Sequence, residues 1–144
     1  MTNQSNTNGG NSSPSKNETN IFVYGSLRHG LPLNHALSTS NYIATVKSES
    51  KYTMYDLGAF PCIRKNGETS IIGDMYSVSD DTLAQLDMIE GIPTLYQRDL
   101  IDIHGWENPD TEIYAYYFSN EVYATQIVES GDWAYHKGYS DVSL

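Results

Sequence analysis

Ser79-Asp80-Asp81-Thr82-Leu83-Ala84-Gln85-Leu86-Asp87-Met88-Ile89-Glu90-Gly91 is the one stretch of this chain that reads strongly as a helix. Ser79 supplies an N-cap oxygen, and Asp80 and Asp81 put carboxylates in the first turn, where the helix dipole favours negative charge. Gly91 suits a left-handed C-terminal cap, and Pro93 prevents continuation. On a wheel at about 100° per residue, Leu83, Leu86 and Glu90 share a narrow arc with Asp87 at its margin, while Asp81, Gln85 and Met88 point away. A carboxylate therefore stands where the apolar stripe calls for another Leu.

Around this helix the chain reads as strands. Ile21-Phe22-Val23-Tyr24 is a short β-branched and aromatic run stopped by Gly25, the pattern of a buried strand. A short helix is expected around Asn34 to Leu37. Tyr42 to Leu57 reads as one long bent strand or a hairpin, punctuated by Gly58 and Pro61. Cys62 to Arg64 and Ser70 to Val78 read as two strands joined across Lys65-Asn66-Gly67, because Asn-Gly favours a tight primed turn. Leu95 to His104 and Glu112 to Phe118 form another pair, and Val122 to Leu144 reads as loop with a strand and a turn. One helix among a series of strands predicts an α+β fold. Its mixed, mostly antiparallel sheet is expected to curl into a partial barrel with few flanking helices.

The 144 residues carry 18 Asp and Glu against 8 Lys and Arg, a net charge of −10. Such a chain repels a phosphate backbone and an anionic bilayer, so nucleic-acid and membrane partners are disfavoured. Met1 to Asn20 is Asn, Ser, Thr and Gly with almost nothing apolar, and is expected to be a disordered polar tail ahead of a single domain over 21–144. No apolar run approaches the ~20 residues of a membrane span, and no secretory signal is present, so a cytoplasmic protein is expected. Glycosylation at the sequons of Asn3, Asn11 and Asn17 is then not expected. The single Cys62 excludes an intramolecular disulfide, and the four histidines lack ligand spacing, so no metal is expected.

Glu90 is the residue with chemistry in it. Burial raises a carboxyl pKa, and the negative end of the helix dipole pushes the same way, which poises Glu90 as a general acid/base near neutral pH. The alternative is a structural role, capping the helix end or pairing with Arg98 in the following strand; Asp87 is expected to be structural. The second candidate is the loop Tyr24-Gly25-Ser26-Leu27-Arg28-His29-Gly30, whose N–H groups can form an anion-binding concavity. It is not a P-loop, since Leu31-Pro32 stands where Lys-Ser/Thr is required, and alone it can equally be a tight turn. Ser26 has no nucleophile-elbow context, and Cys62 reads as a buried small residue. The twelve tyrosines suit a half-buried sheet surface, with one or two free to present hydroxyls to a pocket.

Taken together, the motifs resemble the γ-glutamylcyclotransferase-like family, in particular its γ-glutamylamine cyclotransferase and AIG2-like branch. The resemblance starts at Phe22-Val23-Tyr24-Gly25-Ser26-Leu27-Arg28-His29-Gly30, with Asn34-His35 and Leu37 following. It continues through Tyr55-Asp56-Leu57-Gly58, Pro61 and Ile72-Gly73-Asp74-Met75-Tyr76. The helix end Leu86-Asp87-Met88-Ile89-Glu90-Gly91, Tyr96-Gln97-Arg98 and Ser130-Gly131-Asp132-Trp133 complete it. It spans nearly all of Ile21 to Tyr135, and Cys62 departs from it where the family has a small residue after the Pro.

The resemblance implies that Tyr24, Gly25, Ser26 and Leu27 bind a γ-glutamyl group, that Glu90 is the proton acceptor, and that Tyr96 lines the pocket. The implied reaction is attack of the substrate's α-amine on its own γ-carbonyl, forming 5-oxoproline and releasing an amine, with no metal or cofactor. Loops after Ile63 and around Trp106 to Thr111 are expected to select the leaving amine, and the acidic surface to steer a cationic one. The competing expectation is a non-catalytic module on the same scaffold that binds a small ligand or a partner.

Overall fold

The computed structural model describes residues 18–121 and 126–139. Its layers follow from alternation in β1 (Glu18–Val23), which lies in the middle of a five-stranded sheet. Ile21 and Val23 face one core, with Tyr76, Val78 and Leu86, while Phe22 faces the other, with Met54, Ile63 and Trp133. Period-two alternation with both faces apolar is the pattern of a strand covered on both sides.

The large sheet has the order β2-β5-β1-β7-β6, where β2 is Asn41–Lys47, β5 Ile72–Ser79, β6 Tyr96–Leu100 and β7 Ile113–Phe118. β1 and β7 run parallel, and the other pairings are antiparallel. A second sheet, order β4-β3-β8, is built from β3 (Tyr52–Asp56), β4 (Pro61–Thr69) and β8 (Gln126–Ile127). The fold is thus α+β with mixed sheets and few helices, and its curl stops short of a closed barrel because β2 and β6 remain edges of the large sheet. Among the described residues, no helix is long and apolar enough to cross a membrane.

The strongly signalled helix, α1 (Asp80–Ile89), forms as its caps dictate. The Ser79 hydroxyl accepts from the Thr82 N–H at 3.2 Å, Glu90 is the C-cap, and Gly91 takes φ +69°. Leu86, wholly buried, docks α1 on the Ile21 and Val23 face of the sheet. A 3-10 helix occupies Asn34–Leu37, as expected.

Four expectations need correction. β1 begins at Glu18, ahead of Ile21, because Glu18 to Asn20 pair with Ser79 to Ser77 on β5; the rest of the expected tail lies outside the described residues. Tyr42 to Leu57 is neither one strand nor a hairpin, since β2 joins the large sheet and β3 the small one. The break falls at buried Ser48, whose N–H bonds the Ile71 carbonyl and whose hydroxyl accepts the Ile71 N–H, each at 2.8 Å.

Lys65-Asn66-Gly67 is not a hairpin turn either, because β4 runs through it and pairs with β3 rather than β5. The register jumps from Thr53↔Arg64 to Tyr52↔Thr69, so these residues form a bulge, and Gly67 lies so close to Thr53 and Tyr52 that a Cβ would collide with them. Finally, the segment after Val122 contains a helix, α2 (Trp133–Lys137), capped by the Asp132 carboxylate at the Tyr135 N–H (3.1 Å) and by Gly138 at φ +80°. Five residues are too few to show an apolar stripe, so periodicity did not signal it.

Candidate active site

The chain between β1 and the 3-10 helix is folded by its own carbonyls. The Arg28 N–H donates to the Gly25 carbonyl (3.0 Å), the Leu33 N–H to that of Ser26 (2.9 Å), and Asn34 Nδ2 to that of Leu27 (2.9 Å). With all three carbonyls engaged, the N–H groups of Gly25, Ser26 and Leu27 have no acceptor among the described residues. Gly25 lies close to Pro61: a Cβ there would stand 3.0 Å from its Cγ, so the ring would have to give by a few tenths of an ångström. The result is a row of unclaimed backbone donors, a concavity that suits an anion or a developing oxyanion.

Behind this loop sits Arg28, wholly buried, with Nη1 2.9 Å from Oδ1 of Asp132 and Nε 3.9 Å from Oδ1 of Asp74. Asp74 also accepts the His29 N–H and the Thr45 hydroxyl, each at 2.7 Å. A buried guanidinium needs such partners, and here they tie the loop to β5, β2 and the cap of α2. Sequence reading missed this support: Arg28 stood only as a member of the loop, and its partners are far away along the chain.

The loop forms one wall of a cavity of about 140 Å³, and α1 and β6 bring up the others. Tyr24, Gly25, Ser26, Leu27, Glu90 and Tyr96, the six residues singled out from the sequence, all line it. Tyr116, not singled out for the pocket, lines it too. The Tyr24 hydroxyl donates to the Tyr116 carbonyl and the Tyr96 hydroxyl to the Pro61 carbonyl, both at 2.6 Å. Burial drives both phenols well above their ordinary pKa. They are protonated walls fastened to backbone, and neither is a base.

Glu90 is the carboxylate of the cavity. It is partly buried at the end of α1, and its carboxylate forms no hydrogen bond or ion pair among the described residues. Burial first, and then the negative charge of Asp87, raise its pKa from 4.5 to about 7. The alternative pairing with Arg98 is not made. Arg98 instead grips Asp87 through two bonds, Nε–Oδ1 at 3.1 Å and Nη2–Oδ2 at 2.9 Å, and the Tyr116 hydroxyl donates to Asp87 Oδ1 at 2.7 Å. Asp87 is thus the structural carboxylate of the pair, as expected.

Cys62 is buried, with its thiol pushed up to about 12 by burial, so it stays protonated. The loops expected to select a leaving amine do not reach the cavity. Trp106 to Thr111 borders a separate hollow beside Glu49 and Lys51, and the residues after Ile63 continue β4 along β3. Leu33, Phe60, Ile89 and Leu95 form the rim instead. Among the described residues, no three His, Cys, Asp or Glu side chains are grouped to hold a metal ion.

A family model described as gamma-glutamyl cyclotransferase, AIG2-like, matches residues 21–135. A Vibrio cholerae protein provisionally named a gamma-glutamylcyclotransferase is 36% identical over 113 residues, 78% of this chain and 93% of that protein. The gamma-glutamylcyclotransferase family protein YtfP of Escherichia coli is 32% identical over 114 residues, 78% of this chain and 94% of its own length. Among solved structures, the solution structure of ytfP from Escherichia coli matches with a TM-score of 0.64 at 28% identity, over 83% of this chain and 99% of that one. An AIG2-like protein from Mus musculus shares the fold, with a TM-score of 0.59 at 22% identity, over 74% of this chain and 80% of that one.

Proposed function

This chain belongs to the gamma-glutamyl cyclotransferase, AIG2-like family, and we propose that it converts a γ-glutamyl amide to 5-oxoproline and a free amine. The observation that carries this reading is Glu90: an unpartnered carboxylate raised to about 7, in the same cavity as the unclaimed N–H groups of Gly25, Ser26 and Leu27. Binding alone has no use for such a group, whereas proton transfer does.

The α-ammonium of the substrate must lose a proton before its nitrogen can attack. Glu90 takes that proton, and a base with a pKa near 7 is ionised in a large fraction of molecules at neutral pH. The nitrogen then adds to the γ-carbonyl of the same molecule, forming a C–N bond and a five-membered ring. The negative charge that develops on the carbonyl oxygen is received by the loop N–H groups. As the tetrahedral intermediate collapses, the bond to the leaving nitrogen breaks, Glu90 returns its proton to that nitrogen, and the second proton of the attacking nitrogen passes to the released amine, leaving a neutral lactam and an ammonium. The carboxylate ends as it began. Walls such as Tyr24, Tyr96 and Tyr116 hold the chain of the substrate bent, so that nitrogen and carbonyl meet.

The test is product analysis by mass spectrometry on a panel of γ-glutamyl amides. 5-Oxoproline is expected from the wild-type protein and not from folded Glu90→Gln. Saturable binding without product from either protein overturns the proposal in favour of a binding module.

A further inference from the structure

No residue of α2 lines the cavity, yet the helix is fastened to two of its walls. At the N-terminal end, Oδ1 of Asp132 accepts Nη1 of Arg28 at 2.9 Å as well as the Tyr135 N–H that caps the helix. Arg28 follows directly on Leu27, the last of the three unclaimed donors. At the C-terminal end, His136 Nε2 and Lys137 Nζ stand 2.8 and 3.2 Å from Oδ2 of Asp56 on β3. Asp56 Oδ1 accepts the Gly58 N–H at 2.7 Å, and the Leu57 N–H bonds the Phe60 carbonyl at 3.0 Å. That carboxylate therefore shapes the turn that delivers Phe60 and Pro61 to the cavity. Between the two ends, Trp133 is buried among Phe22, Met54 and Ile63. Five residues make too short a helix to stand alone, so its anchors fix α2 as a brace.

The donor loop needs such a fixing point. Its internal bonds engage the carbonyls of Gly25, Ser26 and Leu27 and set its shape, but not where the three N–H groups stand relative to Glu90. That placement is set where the chain leaves β1, by the His29 N–H and by the Arg28 side chain. Asp74 is occupied by the His29 N–H and the Thr45 hydroxyl and stays 3.9 Å from Arg28 Nε. Among the described residues, Nε and Nη2 of Arg28 form no hydrogen bond, so Asp132 is the one hydrogen-bonded partner of a wholly buried guanidinium. A buried ion pair adds little net stability, because desolvation offsets the attraction. It does fix a direction, and groups displaced by about 1 Å can slow a reaction on the order of a hundredfold.

Resting on the cyclisation reading above, we propose that Asp132 is a positioning residue of the reaction: through Arg28 it holds the N–H groups of Gly25, Ser26 and Leu27 where the oxyanion forms, and α2, tied to Asp56 at its far end, keeps Asp132 in place. Asp132 lies outside the cavity and touches no substrate. Its loss weakens stabilisation of the transition state more than binding of the substrate. The ionisation of Glu90 is left alone, since burial and Asp87 govern it.

Asp132→Asn keeps an oxygen for the helix cap and removes the charge that faces Arg28. With the fastest γ-glutamyl amide of the panel, kcat is expected to fall about tenfold, with KM within about threefold of wild type and the midpoint of the pH–rate profile unmoved. Amide hydrogen exchange read by NMR on the same folded protein is expected to quicken on the order of tenfold at Arg28, Leu31 and Leu33, whose N–H groups close the loop, and to stay unchanged at Met75 and Tyr76 in the sheet. Asp56→Asn, at the far end of the brace, is expected to act in the same sense on kcat and on these three amides by about threefold. It decides by the same two readouts if Asp132→Asn does not fold. Wild-type kcat or a wild-type loop in the folded variant, a loss seen in KM alone, or exchange quickened equally throughout the sheet overturns the proposal. If the wild-type protein forms no 5-oxoproline from any member of the panel, the cyclisation reading falls and exchange alone decides. Quickening confined to the loop then upholds the brace, and an unchanged loop overturns it.

Discussion

Asp87 and Glu90 lie less than one helical turn apart at the same end of α1, yet the two regions around them make opposite carboxylates. Burial pushes Asp87 up, but the two bonds from Arg98 and one from Tyr116 outweigh it and hold the carboxyl below its usual value. Glu90 is pushed up by burial without any such bonds, and the charge of Asp87 adds to the push. The lesson is that burial alone does not set acidity; the partners allowed to reach the group do. A satisfied carboxylate holds β6 and β7 to the helix, and an unsatisfied one next to it remains free for chemistry.

The largest effect is expected from removing the unsatisfied member. Glu90→Gln keeps the size of the side chain and should lower turnover on the order of a thousandfold or more with the fold intact, as read by 5-oxoproline formation beside circular dichroism. Next comes pH. Both folded and unfolded Glu90 are protonated below 4.5, so wild type and Glu90→Gln should have nearly the same stability there. Between 4.5 and about 7 the unfolded chain gives up a proton that folded Glu90 keeps, so wild type loses ground across that window and levels off above it. By pH 8, Glu90→Gln should be more stable by on the order of 2 kcal/mol in urea unfolding. A constant difference between pH 4 and pH 8 would mean that Glu90 is not raised.

Breaking the satisfied member should cost less in stability and leave its mark on the other. Asp87→Asn leaves Arg98 without its carboxylate and is expected to destabilise by about 1–2 kcal/mol. It should also lower the midpoint of the pH–rate profile, because Glu90 loses the adjacent negative charge. The smallest change is Arg98→Lys, which replaces two parallel bonds by one point charge and should cost less than about 1 kcal/mol, with the midpoint scarcely moved.

Much of this was legible before any tertiary contact. The limits of α1 came from Ser79, Asp80, Gly91 and Pro93, and the helix wheel placed Glu90 on the inward arc. The strand ending at Tyr24 and the loop Gly25 to Leu27 could be read from a short apolar run stopped by glycine. Where the reading failed, long-range pairing had overridden a local preference. Asn66-Gly67 has the chemistry of a hairpin turn, but β3 claims both sides of it and turns it into a bulge. Ser48 reads as one residue of a strand, whereas its two bonds to Ile71 end β2 there.

The sequence by itself determined which residues cap α1, where the glycine loop follows a strand, and that a carboxylate faces inward from the helix end, because these depend on hydrogen bonds and side-chain spacing within a few residues. Only the tertiary structure decided that Arg98 goes to Asp87 and leaves Glu90 alone, that Arg28 is braced by Asp74 and Asp132, and that Leu33, Phe60, Ile89 and Leu95 meet at one mouth. The physical reason is that charge pairing and burial are properties of neighbours in space, and β pairing brings together segments whose separation along the chain carries no signal of their meeting.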